Sequence, residues 1–389
     1  MMGEFFRWGY AMRKNLSLFL FAMLAVPAFA AKRVDIKQVD QALTEWKDKP
    51  DAEVAHWLDG LKLTERADAA QLAQWRKTAP GPKSKQAVAL LADASAFLRA
   101  PASEILQTTP PNEIAQRQML SLASAYVETT LVKLPNFFAS ESITTFEDTP
   151  ASQDYGVYTN YQPMHYSDFK RATVLYRDGK EVMETKSSEV SEQDQTITLA
   201  GQLLSSGEFG PVLHTVLTDA RSGKLTWSHW EAMGDSKTAL FRYSVPRHQS
   251  HYRLKVELAG HSKPTQTRPG YHGEIAIDPA NGTILRITLQ ADLSDDDPMK
   301  RADLMVEYGR VEIGKQSYIC PVRTVAMTES YSAKVQLDER GFLTPNQKGP
   351  TLKMLNDARF DNYHVLRSEA RLLTGADTDD DGSKPDSPQ

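Results

Sequence analysis

The 389-residue chain is short of cysteine, of net positive charge and of long apolar runs. Its one cysteine, Cys320, excludes an intrachain disulfide and any cysteine-rich zinc site. Asp and Glu (50) outnumber Lys and Arg (45), a formal net charge of −5 that excludes a strongly basic nucleic-acid binder. With 21 Gly and 21 Pro, a collagen-like or low-complexity chain is excluded too. After the first 31 residues no segment approaches the about 18 apolar residues of a membrane span. What remains is 41% hydrophobic and 24% charged, an ordinary globular composition long enough for two or three domains.

The apolar run that does occur is at the start. Residues 12–31 read MRKNLSLFLFAMLAVPAFAA. Arg13 and Lys14 give a positive n-region and residues 16–26 an apolar h-region. Pro27 breaks the run, and Ala28-Phe29-Ala30 matches a small-residue cleavage site. The expectation is an export signal over residues 1–30, initiation at Met12, and a periplasmic or extracellular protein. No cysteine follows the cleavage site, so a lipid-anchored start is not expected. Cleavage removes Arg7, Arg13, Lys14 and Glu4, three basic residues and one acidic, and takes the net charge to −7. An acidic exported chain is a poor candidate for a polyanion or anionic-membrane binder, since nothing in that overall balance draws it to phosphate.

Residues 31–134 carry helical periodicity. Trp46, Val54, Trp57, Leu58 and Leu61 recur at helical spacing, and Thr64 offers an N-cap ahead of Leu72 and Trp75. Pro80-Gly81-Pro82 interrupts, an Ala-rich helix follows over 85–98, and Pro101 stops it. Pro110-Pro111-Asn112 starts a third helix with Ile114, Met119, Leu122, Ala123 and Tyr126 on one side. A stripe of this spacing reads as core before it reads as a ligand box. From 135 to 374 short runs rich in Val, Ile, Thr, Tyr and Phe alternate with turn dipeptides. Asp178-Gly179 marks a hairpin, and residues 208–220 read as one packing helix. Successive strands without regular intervening helices predict an antiparallel meander. Residues 375–389 are acidic, with no apolar residue beyond Ala376, and are expected to be a disordered tail.

One hairpin is legible residue by residue. Pairing Ile277 with Thr283 sets Tyr271, Ile275, Ile277, Leu285, Ile287 and Leu289 on one apolar face. The other face carries His272, Glu274, Arg286, Thr288 and Gln290, with Glu274 directly across from Arg286 as a structural ion pair. The six apolar residues are the candidate ligand-binding set.

Motifs for chemistry are scarce. Asp377-Thr378-Asp379-Asp380-Asp381-Gly382 opens like a calcium loop, but its twelfth position is Pro388 where a bidentate Glu is needed. His248 and His251 form H-x-x-H between strands without a third ligand nearby, so no metal is expected. No G-x-S-x-G elbow, H-E-x-x-H or Gly-rich phosphate loop occurs, so neither a catalytic residue nor a cofactor is expected. Cys320, within Tyr318-Ile319-Cys320-Pro321-Val322, reads as a small core residue.

Several stretches carry a resemblance: Leu61-Lys62-Leu63-Thr64-Glu65-Arg66, Leu91-Ala92-Asp93-Ala94, Leu134-Pro135-Asn136-Phe137-Phe138, Ser206-Gly207-Glu208-Phe209-Gly210-Pro211, Tyr271-His272-Gly273-Glu274, Val306-Glu307-Tyr308-Gly309, Tyr318-Ile319-Cys320-Pro321-Val322-Arg323 and Asn356-Asp357. By these the chain resembles a group of exported proteins of soil bacteria that has no assigned activity. The β-rich part is similar in layout to periplasmic lipoprotein-carrier and sensor half-barrels, through the phrase 271–278, a Gly turn and Ile284-Leu285-Arg286. About 100 helical residues in front depart from that layout.

The expected fold is α+β: an N-terminal helical region, then a large curved antiparallel sheet of half-barrel type with a packing helix. A one-sided apolar face on consecutive strands must be covered. With the half-barrel likeness and the lack of catalytic motifs, the expectation is an exported, non-catalytic binding protein that holds a lipid, acyl chain or lipoprotein on that face. The alternative is a structural or protein-interaction module of the cell envelope, with an envelope protein as partner.

Overall fold

A computed structural model describes residues 31–366, apart from 131–132, 155–156, 184–195, 200–201, 206–210, 235, 257–264 and 338–342. The expected export signal (1–30), the expected tail (375–389) with its calcium-like loop, and the stretch 206–210 lie outside the described residues.

Asp35 caps the first helix with a capping box, its carboxylate accepting from the Gln38 N–H while the Gln38 side chain accepts from the Asp35 N–H. Strand β1 (Lys32–Val34) leads into α1 (Ile36–Glu45), and Pro50 separates it from α2 (Asp51–Asp59). The Trp46 stripe is therefore split over two helices, which bring the Trp46 and Trp57 rings to 5.0 Å. Strand β2 (Leu61–Leu63) pairs in parallel with β1. Asp68, not Thr64, caps α3 (Ala69–Thr78), and Pro82 opens α4 (Pro82–Ala94) at its first position. The two-residue strand β3 (Ile105–Leu106) precedes α5 (Glu113–Thr130). Met119 and Ala123 are buried there as the spacing implies, but Ile114 is 74% exposed. It sits in the first turn, before α5 reaches the core.

The rest is strand apart from α6 and a short 3-10 turn: β4 (Phe137–Thr149), β5 (Ser152–Asp154), β6 (Val157–Thr159), β7 (Gln162–Arg177), β8 (Lys180–Met183), β9 (Thr196–Leu199), β10 (Gln202–Ser205), helix α6 (Pro211–Ser222), β11 (Lys224–Met233), β12 (Ser236–Val245), β13 (Leu254–Val256), β14 (Thr265–Thr267), β15 (Gly270–Ile277), β16 (Ile284–Asp292), β17 (Met299–Ile313), β18 (Gln316–Leu337) and β19 (Leu343–Val365). Eleven of these strands form one antiparallel sheet in the order β3-β11-β12-β15-β16-β17-β18-β19-β4-β7-β8. The α+β class with one large antiparallel sheet is thus as the sequence implies. Asp178 and Gly179 join β7 to β8 with φ of 53° and 80°, the left-handed pair that a two-residue hairpin requires.

The last long strand, β19, pairs with the first long strand, β4, inside a sheet whose edges are β3 and β8. Both faces of the sheet are covered. On one, α5 and α6 pack on Phe241, Tyr271, Ile275, Ile287 and Leu304 and their neighbours. On the other, the α1–α4 layer packs on Phe146, Met305, Val325, Met327 and Leu355.

The β15–β16 register differs from the sequence reading. Ile275 faces Ile287, His272 faces Gln290 and Ala276 faces Arg286, a shift of two residues. The turn accounts for one step, since Ile277 pairs with Ile284 and not Thr283. A bulge between Ala276 and Ile277 accounts for the other and leaves Leu285 unpaired. Two steps preserve the side-chain parity, so the apolar face survives while its cross-strand partners change. Glu274 does not sit across from Arg286.

Candidate functional site

The α6-covered face holds five of the six predicted ligand-binding residues. Tyr271, Ile275, Ile277, Ile287 and Leu289 are all buried in one cluster with Val212, Leu213, Val216, Leu217 and Ala220 of α6. Leu285 is not among them. The bulge turns it away, and Ile284 takes its place in the cluster. The helix over this face is the one expected at 208–220, described from Pro211.

One polar junction ties α6 to the sheet. Asp219, 1% exposed in the last turn of α6, accepts from the Tyr271 hydroxyl at 2.8 Å and from the His251 backbone N–H at 2.7 Å. His251 Nδ1 lies 2.6 Å from its other oxygen. Burial, with the Tyr243 and Asp219 charges, pushes the Tyr271 phenol far above its ordinary range, so it stays a donor. Tyr243, Tyr252 and Tyr271 pack ring to ring around this point, at 5.7 and 5.6 Å. The sequence reading treated His251 as half of an H-x-x-H pair. Its partner is a carboxylate 32 residues away, which spacing along the chain does not reveal. Among the described residues no group of three or more His, Cys, Asp or Glu is placed to hold a metal ion.

The opposite face carries a row of charged side chains beneath the helical layer. Directly paired positions run Arg286–Glu307–Arg323–Arg359–Ser142–Arg171 across β16, β17, β18, β19, β4 and β7. Residues directly opposite in antiparallel strands point to the same side, so the six share one face. Arg286, the predicted partner of Glu274, instead donates to Glu231 of β11 at 3.0 Å through two nitrogens. Arg66, from the segment after β2, reaches the same carboxylate at 2.6 Å. Glu274 accepts from Arg242 at 3.1 Å. The correction follows from the register, because the two-residue shift puts Ala276 across from Arg286.

Farther along the row, Arg323 donates to Asp357 at 3.0 Å and to Asp93 of α4. Arg359 donates to the second oxygen of Asp357, also at 3.0 Å. Burial works to raise Glu231, but His229, Arg286 and Arg66 outweigh it and hold the carboxylate at about 2. Burial and the nearby Asp357 charge push Asp93 the other way, up to about 7, against the pull of Arg323. Nothing in the spacing of Arg66, Asp93, Glu307, Arg323 and Asp357 along the sequence says that they meet.

Compared with known protein families the chain matches none, and compared with curated proteins it again matches none. Two features therefore define the candidate site: an apolar sheet face closed by a helix with one buried polar fastening, and a charged row on the reverse.

Proposed function

We propose that the protein is an exported, non-catalytic binding protein, and that a lipid or acyl chain, free or carried by a lipoprotein, binds against the sheet face that α6 covers. One observation supports this reading above others: the apolar face is completed by α6, which Asp219 ties to the sheet and its flanking loop. Burying a side chain of Val or Leu size contributes roughly 1.5–3 kcal/mol, so lifting α6 into water would cost several kcal/mol. An acyl chain lying on Ile275, Ile287 and Leu289 offsets that cost by replacing the α6 stripe. The ligand then exchanges with the helix and needs no standing cavity.

The competing reading is an envelope interaction module. The observation in its favour is the exposure of Tyr161, Tyr166 and Phe169 in and beside β7.

Native mass spectrometry of protein purified from the exported compartment, before and after organic extraction, tests the proposal. A bound lipid gives a lipid-sized mass that extraction removes. An unchanged mass, with no uptake of added palmitate, contradicts it.

A further inference from the structure

At the outer end of the charged row donors outnumber acceptors. Arg359, Ser142 and Arg171 are directly paired across β19, β4 and β7 and point to one side. Arg359 shares its acid, Asp357, with Arg323. Among the described residues neither Arg171 nor Ser142 makes a side-chain hydrogen bond or ion pair. The Arg171 guanidinium lies 5.5 Å from the centre of the Phe169 ring, a stacking that orients it and supplies no counter-charge. Arg76, in the last turn of α3, is half-buried. Burial and the like charges of Arg359 and Arg323 weaken its hold on its proton against the pull of Asp357 and Asp93, and among the described residues it makes no direct salt bridge.

Coverage grades along the row. Asp93 of α4 caps Arg323 at the inner end, whereas Ser142 is half-buried and Arg171 exposed at the outer end. Adjacent strands lie about 4.8 Å apart, so Arg359 and Arg171 stand two strand spacings apart with a hydroxyl between them. Side chains of that length are long enough to reach one tetrahedral anion placed between them. Guanidinium groups suit it because they donate in a planar fork and stay charged.

We propose that Arg359, Ser142 and Arg171, with Arg76 from the helical layer, form a binding site for a phosphate monoester group. The site is on the reverse of the sheet from the α6-covered face and does not depend on the apolar-ligand reading. The group enters from the exposed β7 side, and Phe169 and Tyr166 flank the place where the organic part of the ester lies. The acidic balance of the whole chain does not oppose this, because the row is locally cationic.

The full chain is titrated calorimetrically with inorganic phosphate and with glycerol 3-phosphate, against chloride at matched ionic strength. Flotation with phosphatidic acid or phosphatidylcholine vesicles runs in parallel. Saturable phosphate binding is expected, weakened at least tenfold in Arg171→Gln and in Arg76→Gln, and unchanged in Arg117→Gln on the remote surface of α5. Glycerol 3-phosphate binding without flotation identifies a soluble ester. Flotation with phosphatidic acid alone, lost in Arg171→Gln, identifies a lipid headgroup. Without phosphate, both site variants should melt within a few degrees of the parent, since neither side chain makes a direct salt bridge among the described residues. Absent binding, or binding that survives both substitutions, would overturn the proposal.

Discussion

Arg323 of β18 donates to Asp93 of α4, a residue 230 positions earlier, and so fastens the helical layer to the reverse of the sheet. Both side chains are buried. The same guanidinium also holds Asp357, and Glu307 lies 3.5 Å away. Removing one partner from such a buried group leaves the others uncompensated. Arg323→Met should therefore cost about 3–5 kcal/mol, read as a lowered urea midpoint. A loss below about 1 kcal/mol would show that the network is solvated.

The α6 fastening should behave as one coupled unit. Asp219→Ala leaves the Tyr271 hydroxyl buried without its acceptor, at a cost of roughly 1–3 kcal/mol. Tyr271→Phe should cost less, and the double variant should be much less destabilised than the sum of the two. A double-mutant cycle by urea unfolding reads a coupling of about 1–2 kcal/mol; simple additivity would contradict the arrangement.

The close approach of β15 to β16 has its own test. A Cβ on Gly273 would overlap the Thr288 carbonyl oxygen, where the two strands run face to face. Gly273→Ala should cost at least about 2 kcal/mol, because backbone cannot give way as a flexible side chain does. A neutral Gly273→Ala would show that the two strands lie farther apart at this point.

Stability should decline from pH 5 to pH 8. Burial pushes Glu141 up to about 7, burial with Asp68 does the same to Glu104, and burial with Asp357 does it to Asp93. A carboxyl raised in the folded state favours folding fully below its unfolded pKa, and that contribution is lost as pH climbs through about 7. Glu231 and Asp297, held near 2, act oppositely: their stabilisation is present above the ordinary carboxylate range and is lost as pH falls toward 2. Urea midpoints should be higher at pH 5 than at pH 8, and Glu141→Gln should narrow the gap. An unchanged gap in that variant would mean that Glu141 is solvated.

Cys320 should be silent in the native state. It is buried, and burial pushes its thiol up to about 12, so almost no thiolate is present at neutral pH. Ellman's reagent should label it only at the rate of global unfolding. Rapid labelling without denaturant would place it at an opening.

Local structure was legible where a local rule governs it. Asp178-Gly179 announced its hairpin because two successive left-handed residues need a chain without steric conflict. The apolar face of β15 and β16 was legible because a period of two survives an even shift. Leu285 was misplaced because a bulge is set by what packs on both sides, and nothing in the strand itself marks it. Ile114 keeps helical spacing yet projects beyond the core, since periodicity does not say where a helix begins to touch its neighbour. The two polar assemblies were invisible: Asp219 with His251 and Tyr271, and Asp93 with Arg323, join segments whose meeting is fixed only by the tertiary fold.

Tryptophan positions give the most direct test of binding beneath α6. Trp230 and Trp227 border the α6-covered cluster, whereas Trp46, Trp57 and Trp75 lie in the helical layer on the opposite face. Titration with a brominated fatty acid, a contact quencher, should lower the emission saturably, and the Trp227→Phe/Trp230→Phe variant should lose that quenching. Emission that does not fall, or quenching that persists in the double variant, would contradict an apolar ligand on this face.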